Sequence, residues 1–293
     1  MKRKTREKWS SAILLLPAVL LFAGLIIYPV LETIKLSFVK WKGIAGSPKI
    51  FVGLENYMKV FGSSDFRNAM LNSFYFMVGG FLILMPLAFG LALLVTSKMK
   101  FRRFLKTSYF MPVMLSTTAV ALIWVYILNP SFGAVNQILD MMGAAGLKRD
   151  WLTTPTLNVW CVVLVNEWMY AGYNMLIFSA GIVAIPDYIY DAASIDGCTG
   201  WQRIRHVILP MTKESFKIFS VLCVTGCLKV FDLIWAMTKG GPNNASSTPA
   251  IMLYTEAFTY KNFGKSSAVG VVLLVLGIVL SLGINRGLKG EEG

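Results

Sequence analysis

Three ionisable side chains sit where the surrounding sequence is apolar: Glu167 within the run 157–184, and Lys229 and Asp232 within the run 215–238. Charge in such a setting costs about 2.5–3.5 kcal/mol on membrane-insertion scales, so each group is expected to face a partner or a polar interior. At 1.5 Å of helical rise per residue, Glu167 and Lys229 would each lie roughly 15 Å from the end of their run. Two arrangements follow: the two groups pair, or they jointly line a polar path. Lys229 and Asp232, at i and i+3, can also pair within one helix, and a purely structural ion pair is the plainer alternative. Asn166, Trp168, Tyr170, Tyr173 and Asn174 surround the first charge, and Phe231 and Trp235 the others. For any one of these aromatics the competing reading is ordinary packing or an interfacial belt.

Other chemistry is thin. Cys223 and Cys227, at i and i+4, would share a helical face, but His206 is the single histidine and lies in a different segment. Cys161, Cys198, Cys223 and Cys227 are therefore expected to be buried, reduced packing residues, with no metal site. Neither a nucleophile set nor a Gly-x-x-x-x-Gly-Lys-Ser/Thr phosphate loop is present, so no catalytic residue and no nucleotide site is assigned.

The elements that must carry these residues are set by composition. The chain has 293 residues, 56% of them hydrophobic and only 15% charged, with a mean hydropathy of +0.62; soluble domains average about 25% charged. Crossing a bilayer as a helix takes about 20 apolar residues. Six stretches meet that length: 10–31, 69–96, 106–128, 157–184, 215–238 and 266–286. The first follows a basic segment, as a cleaved leader would, but it is long and lacks a small-residue cleavage site after Tyr28-Pro29-Val30-Leu31-Glu32, so it reads as an anchor. The expectation is one transmembrane domain over residues 1–293, all-α, with six spans. Gly270 and Gly277 on the last span would allow close helix contact.

Charge gives the orientation. With the N-terminus inside, the inner segments hold Lys2, Arg3, Lys4, Arg6 and Lys8, then Lys98, Lys100, Arg102, Arg103 and Lys106, then Arg203, Arg205, Lys213 and Lys217. The outer segments are longer and carry sparser cations, so both termini are expected in the cytoplasm. The net charge of +13 then reflects membrane orientation and attraction to anionic headgroups rather than nucleic-acid binding.

This topology puts an unusually long polar segment inside, between the fourth and fifth spans. Pro186 and Pro210 bound it. Asp187 is placed to cap a short helix over 187–195, Gly197 to end it in a left-handed turn, and a second short helix is expected from Trp201 to about Val207. Small residues on the outside of the bend would admit another protein closely.

The stretch DAASIDGCTGWQRIRHVILP resembles the cytoplasmic signature of the permeases of ATP-binding-cassette importers, also described as binding-protein-dependent transport system inner-membrane components. Ala192, Ala193, Asp196, Gly197, Leu209 and Pro210 match the pattern; Asp191 stands where a Glu is usual and Cys198 where an Ala is usual. NMLIFSAGIVAIP (174–186), FDLIWAMTKGGP (231–242) and FVGLENYMKVF (51–61) extend the resemblance to the carbohydrate-uptake branch, the multiple-sugar, glycerol-phosphate and maltose-type subunits.

The resemblance implies a type I permease fold with a cytoplasmic coupling helix. It also implies docking of Asp191, Ala192 and Ala193 in a groove of a separate ATPase present in two copies, which alone would use ATP and Mg. It implies a second permease subunit, an extracytoplasmic solute-binding protein near the loop 239–249, a carbohydrate as cargo, and residence in a bacterial or archaeal cytoplasmic membrane. Asn166, Glu167, Tyr170, Tyr173, Asn174, Lys229, Asp232 and Trp235 are then the candidate pathway residues, since sugar hydroxyls pair with amides and carboxylates and sugar C–H faces stack on rings. Arg203 and Arg205 could meet lipid phosphates or the ATPase. The alternatives are a secondary transporter, which would show inverted repeats and broken helices, and an intramembrane enzyme, for which Glu167 and Asp232 would be the carboxylate pair.

Overall fold

The computed structural model describes residues 14–44, 46–97 and 99–287. The basic N-terminal segment, the start of the first expected span, Lys98 and Lys289 lie outside the described residues.

In chain order the elements are α1 (Leu14–Ser37), a two-stranded antiparallel hairpin of β1 (Val39–Lys40) and β2 (Ile50–Phe51), and α2 (Glu55–Phe61). Then come α3 (Ser64–Thr96), α4 (Arg102–Met114), α5 (Thr117–Ile127), α6 (Ala134–Met141) and α7 (Leu157–Val183). Next are α8 (Asp187–Ile195), α9 (200–211), α10 (Lys213–Cys227), α11 (Asp232–Met237), α12 (Pro249–Tyr254) and α13 (Phe263–Gly287). The all-α expectation holds apart from the small hairpin.

Helices α1, α3 and α13 are each long and apolar enough to cross a bilayer. Of the other three expected spans, two are interrupted. The stretch 106–128 is two helices, α4 and α5, meeting at 97°: Pro112 removes a helical N–H near the end of α4, and Leu115 takes an extended conformation before α5 begins. The stretch 157–184 is one helix, followed by a 71° bend into α8. The stretch 215–238 breaks after Cys227 and resumes at Asp232. A break at that depth needs its backbone groups satisfied locally. The Lys229 amide turns back to the Gly226 carbonyl at 2.8 Å, and the Thr248 hydroxyl donates to the Val230 carbonyl at 2.7 Å.

Proline does not always end a helix here. Pro29, Pro86 and Pro210 each follow directly on a π-turn, at Ala23–Ile27, Gly80–Leu84 and Ile204–Ile208. A prolyl ring clashes with the carbonyl four residues back, and the wider i→i+5 turn moves that carbonyl aside. Pro210, expected as a boundary, is thus carried inside a continuing helix, whereas Pro186 does end one.

The chain packs as two compact units. Of the described residues, those up to 63 and 253–274 form unit 1, and those from 64 to 252 and from 275 on form unit 2. In unit 1 the Asn56 amide donates to the Ser37 and Val39 carbonyls, at 2.8 and 3.0 Å, tying α2 to the hairpin. A largely buried Lys265–Glu256 pair closes at 2.5 Å. Lys59 hydrogen-bonds Glu55 one turn earlier and holds its carboxyl below the usual range. Gly270 touches Leu253 closely enough that a Cβ there would approach its Cδ1 to 3.2 Å, but Gly277 meets nothing within 4 Å, so only the first of the two glycines serves helix contact.

Unit 2 is organised around α7, which carries buried residues from Asn158 to Ile182 while Leu164, Trp168 and Tyr173 on its other side remain exposed. One end of its core gathers Phe76, Val120, Val162, Met169 and Ile234. The other gathers Leu91, Met175, Phe178, Ile208 and Phe219, with the Phe178 ring 4.7 Å from Phe216 and 5.5 Å from Phe219. At Gly172 the backbone of α4 comes so close that any Cβ would collide with the Tyr109 carbonyl.

Candidate functional site

The break in the fifth span exposes one side of α7. Between α3, α7, α10 and the segment 229–233 lies a cavity of about 310 Å³, and its wall includes Asn166, Glu167, Tyr170, Tyr173, Asn174, Lys229 and Asp232. These are the candidate pathway residues with one exception. Trp235 stacks on Phe231 at 5.6 Å and packs against the core, and it is Phe231 that reaches the cavity. Trp168 also points elsewhere, edge-on to Trp124 at 5.6 Å.

The spacing on α7 explains the convergence. Residues 166, 170, 173 and 174 recur at three and four, so they share one face, and Glu167 stands beside it at the deepest level, 2% exposed. Neither ion pair expected from the sequence forms among the described residues: Glu167 pairs with no cation, and Lys229 does not pair with Asp232. The reason is the break itself. By leaving the helix at Leu228, the chain loses the i, i+3 register between Lys229 and Asp232 and leaves both exposed on the cavity wall without an ion pair between them. Among the described residues, Glu167 Oε1 receives only a long contact from Asn166 Nδ2 at 3.5 Å, and its Oε2 has no hydrogen-bond partner. The Asn174 amide is partly engaged by the Tyr170 carbonyl at 3.0 Å.

Cysteine placement differs in part from expectation. All four are free thiols, but only Cys161 and Cys227 are buried; Cys198 and Cys223 are half-exposed, and both Cys223 and Cys227 line the cavity.

The second candidate region is the polar segment. Pro186, extended, occupies the N-cap position of α8, and Asp187 is the first helical residue rather than the cap; its charge still favours the helix N-terminus. The C-terminus follows the expected design. Gly197 has φ +74°, its amide donates to the Ser194 carbonyl at 3.2 Å and the Cys198 amide to the Ala193 carbonyl at 3.0 Å, the paired bonds of a Schellman turn. Thr199 and Gln202 then form a reciprocal capping box that starts α9 one residue earlier than expected.

Asp191, Ala192, Asp196 and Gly197 lie on the exposed side of this turn, but Ala193 is buried and faces the chain's own core. Neighbouring residues on a helix are rotated by about 100°, so Ala193 can face inward while Ala192 faces out. Leu209 and Pro210 are exposed on the following helix. The outward face also carries Tyr188, Ile195 and Trp201, 71%, 86% and 68% exposed. The i, i+7 spacing of Tyr188 and Ile195 across Asp191 and Ala192 was the available signal. Arg203 is occupied within the chain, donating to Ser194 Oγ at 2.9 Å, while Arg205 is exposed.

Residues 84–286 match the family described as binding-protein-dependent transport system inner membrane component. The chain belongs to this family. It is 35% identical, over 95% of both chains, to a probable ABC transporter permease protein of Pyrococcus horikoshii. It is 31% identical to the trehalose/maltose transport system permease protein of Thermococcus litoralis, over 94% of this chain and 92% of that one. Its fold is that of a chain in the crystal structure of a bacterial alginate ABC transporter in complex with an alginate pentasaccharide-bound periplasmic protein, with a TM-score of 0.86 over 99% of this chain and 97% of that one at 22% identity. The protein is thus a membrane permease component of a binding-protein-dependent importer.

Proposed function

We propose that this permease imports a sugar or oligosaccharide, that the α7 cavity forms part of its path, and that α8 couples it to a separate ATPase. The observation that carries the cargo class is the cavity wall. Amides and a carboxylate for hydroxyl groups stand there within one or two helical turns of Tyr170 and Tyr173, whose rings suit sugar C–H faces. The likeness to a trehalose/maltose permease component supports the same class.

In this reading Asp191, Ala192, Ile195 and Gly197 meet the ATPase, with Ala193 acting from within as a small residue that lets α8 sit close to the bundle. Two ATPase copies supply the ATP and Mg chemistry, a second permease subunit completes the pathway, and a solute-binding protein delivers cargo on the face opposite α8. Residues 1–293 act as one permease domain with both termini in the cytoplasm. Closure of the ATPase would rock the bundle between inward- and outward-facing packings.

The test is uptake by proteoliposomes holding the complex co-purified with the products of neighbouring genes, with Asn174→Ala beside wild type. Uptake of the delivered sugar should fall by about tenfold, the equivalent of one lost hydrogen bond, while the ATPase remains bound. Undiminished uptake in the variant, or purification without any ATPase, would overturn the reading.

A further inference from the structure

Glu167 is the most deeply placed ionisable group on the cavity wall, and its chemistry narrows what can pass. Glu167 is 2% exposed, its Oε2 has no hydrogen-bond partner among the described residues, and it lines with Asp232 a cavity whose one lining cation among the described residues is Lys229. A buried carboxylate oxygen left without a donor is costly, and a solute that supplies an O–H or N–H relieves that cost. An anionic solute offers the opposite: it brings a second carboxylate toward the first at low effective dielectric.

We infer that Glu167 is the specificity-determining residue of this cavity, favouring neutral or cationic hydrogen-bond donors, polyols or amino sugars, and turning away acidic saccharides. The inference rests on the cavity being the solute path, but its electrostatic half can be read without any sugar, so it fails separately from the transport reading.

The wall holds its own reporter. Cys223 is half-exposed and lines the same cavity, whereas Cys198, the other half-exposed thiol, lies in the turn after α8 and is removed by Cys198→Ser. Methanethiosulfonate reagents convert a thiol into a mixed disulfide and release methanesulfinate. The full chain, with the subunits that co-purify, is placed in nanodiscs and treated with the trimethylammonium-ethyl and the sulfonato-ethyl reagents. Each rate is divided by that reagent's rate with 2-mercaptoethanol.

After that correction the cationic reagent should modify Cys223 about tenfold faster than the anionic one, the size expected for one unit charge acting with opposite sign on the two reagents from about 6 Å in a water-like dielectric. Glu167→Gln should bring the ratio close to one, and Asp232→Asn, at an exposed site, should lower it less. A wild-type ratio near one, a preference for the anion, no modification by either reagent, or a ratio unmoved by Glu167→Gln would each overturn the inference. Should Glu167→Gln fail to assemble, Asp232→Asn decides: a cation preference that this variant abolishes would overturn the inference, and one that largely persists supports it.

Discussion

Unit 2 contains two irregular segments built on opposite principles. The turn between α8 and α9 satisfies its backbone with its own residues: the Schellman bonds at Gly197 and Cys198 and the Thr199–Gln202 box are all local, and its side chains point outward. The loop after α11 has local bonds too, among them Ala245 N–H to the Pro242 carbonyl and Ser246 N–H to the Gly240 carbonyl, but it is also pinned by side chains from distant helices. Asn72 of α3 donates to the carbonyls of Ala245 and Ser247, both at 2.8 Å, Asn158 of α7 donates to the Gly241 carbonyl at 2.8 Å, and Ser246, Ser247 and Thr248 are buried. The loop expected near a docked delivery protein therefore has its second half folded into the bundle. A self-capped turn can be handled by a partner without disturbing its host, whereas a pinned loop transmits any disturbance to α3 and α7.

Asn72→Ala should break this contrast hardest. It strands two carbonyls in a buried setting at about 1–3 kcal/mol each, on an Asn side chain that is 5% exposed. The expected result is a loss of about 2–6 kcal/mol, seen as a clear drop in melting temperature in nanodiscs. Faster amide exchange should appear across 239–248 and little change across 187–203. An unchanged melt would mean that the loop holds itself.

A smaller effect is expected at Gly197→Ala. The φ of +74° disfavours any Cβ, although no atom lies within 4 Å of one, so the cost is backbone strain of about 1–2 kcal/mol. Because the turn is self-contained, exchange should quicken at the amides of residues 197 and 198 while the α7 core stays protected. Loss of protection in α7 would show that the turn is not independent of the bundle.

The legibility of the two segments follows the same division. Local chemistry is written in adjacent residues, so Gly197 as a stop, the existence of α8 and the shared face of Asn166, Tyr170, Tyr173 and Asn174 on α7 could be read directly. What was hidden depends on distant partners. The break after Cys227 is stabilised by Thr248, eighteen residues on. The pinned loop is held by Asn72, more than a hundred and seventy residues away, and Asn72 looks in the sequence like any polar residue in an apolar run. The missing Glu167–Lys229 pair has the same origin, since the depth assigned to Lys229 assumed an unbroken helix. Ala193 was misread for a simpler reason: the small-residue pair was treated as one surface, although neighbouring helical residues point about 100° apart.

That last distinction gives the prediction with the smallest effect on the fold. Ile195 is 86% exposed on α8, so Ile195→Ser removes no buried area and surface changes of this kind stay within about 0.5 kcal/mol. Its melt should match wild type. If the outward stripe of Tyr188, Asp191, Ala192 and Ile195 is the coupling surface, the variant should nevertheless lose its co-purifying ATPase, because a large apolar side chain left in water is what a partner's groove would cover. Ala193→Ser makes the complementary test from the inner side. It adds a hydroxyl where the residue is 6% exposed and should lower the melt while leaving ATPase binding by the folded fraction intact. Retention of the ATPase by Ile195→Ser together with its loss in Ala193→Ser would reverse the assignment of the two faces.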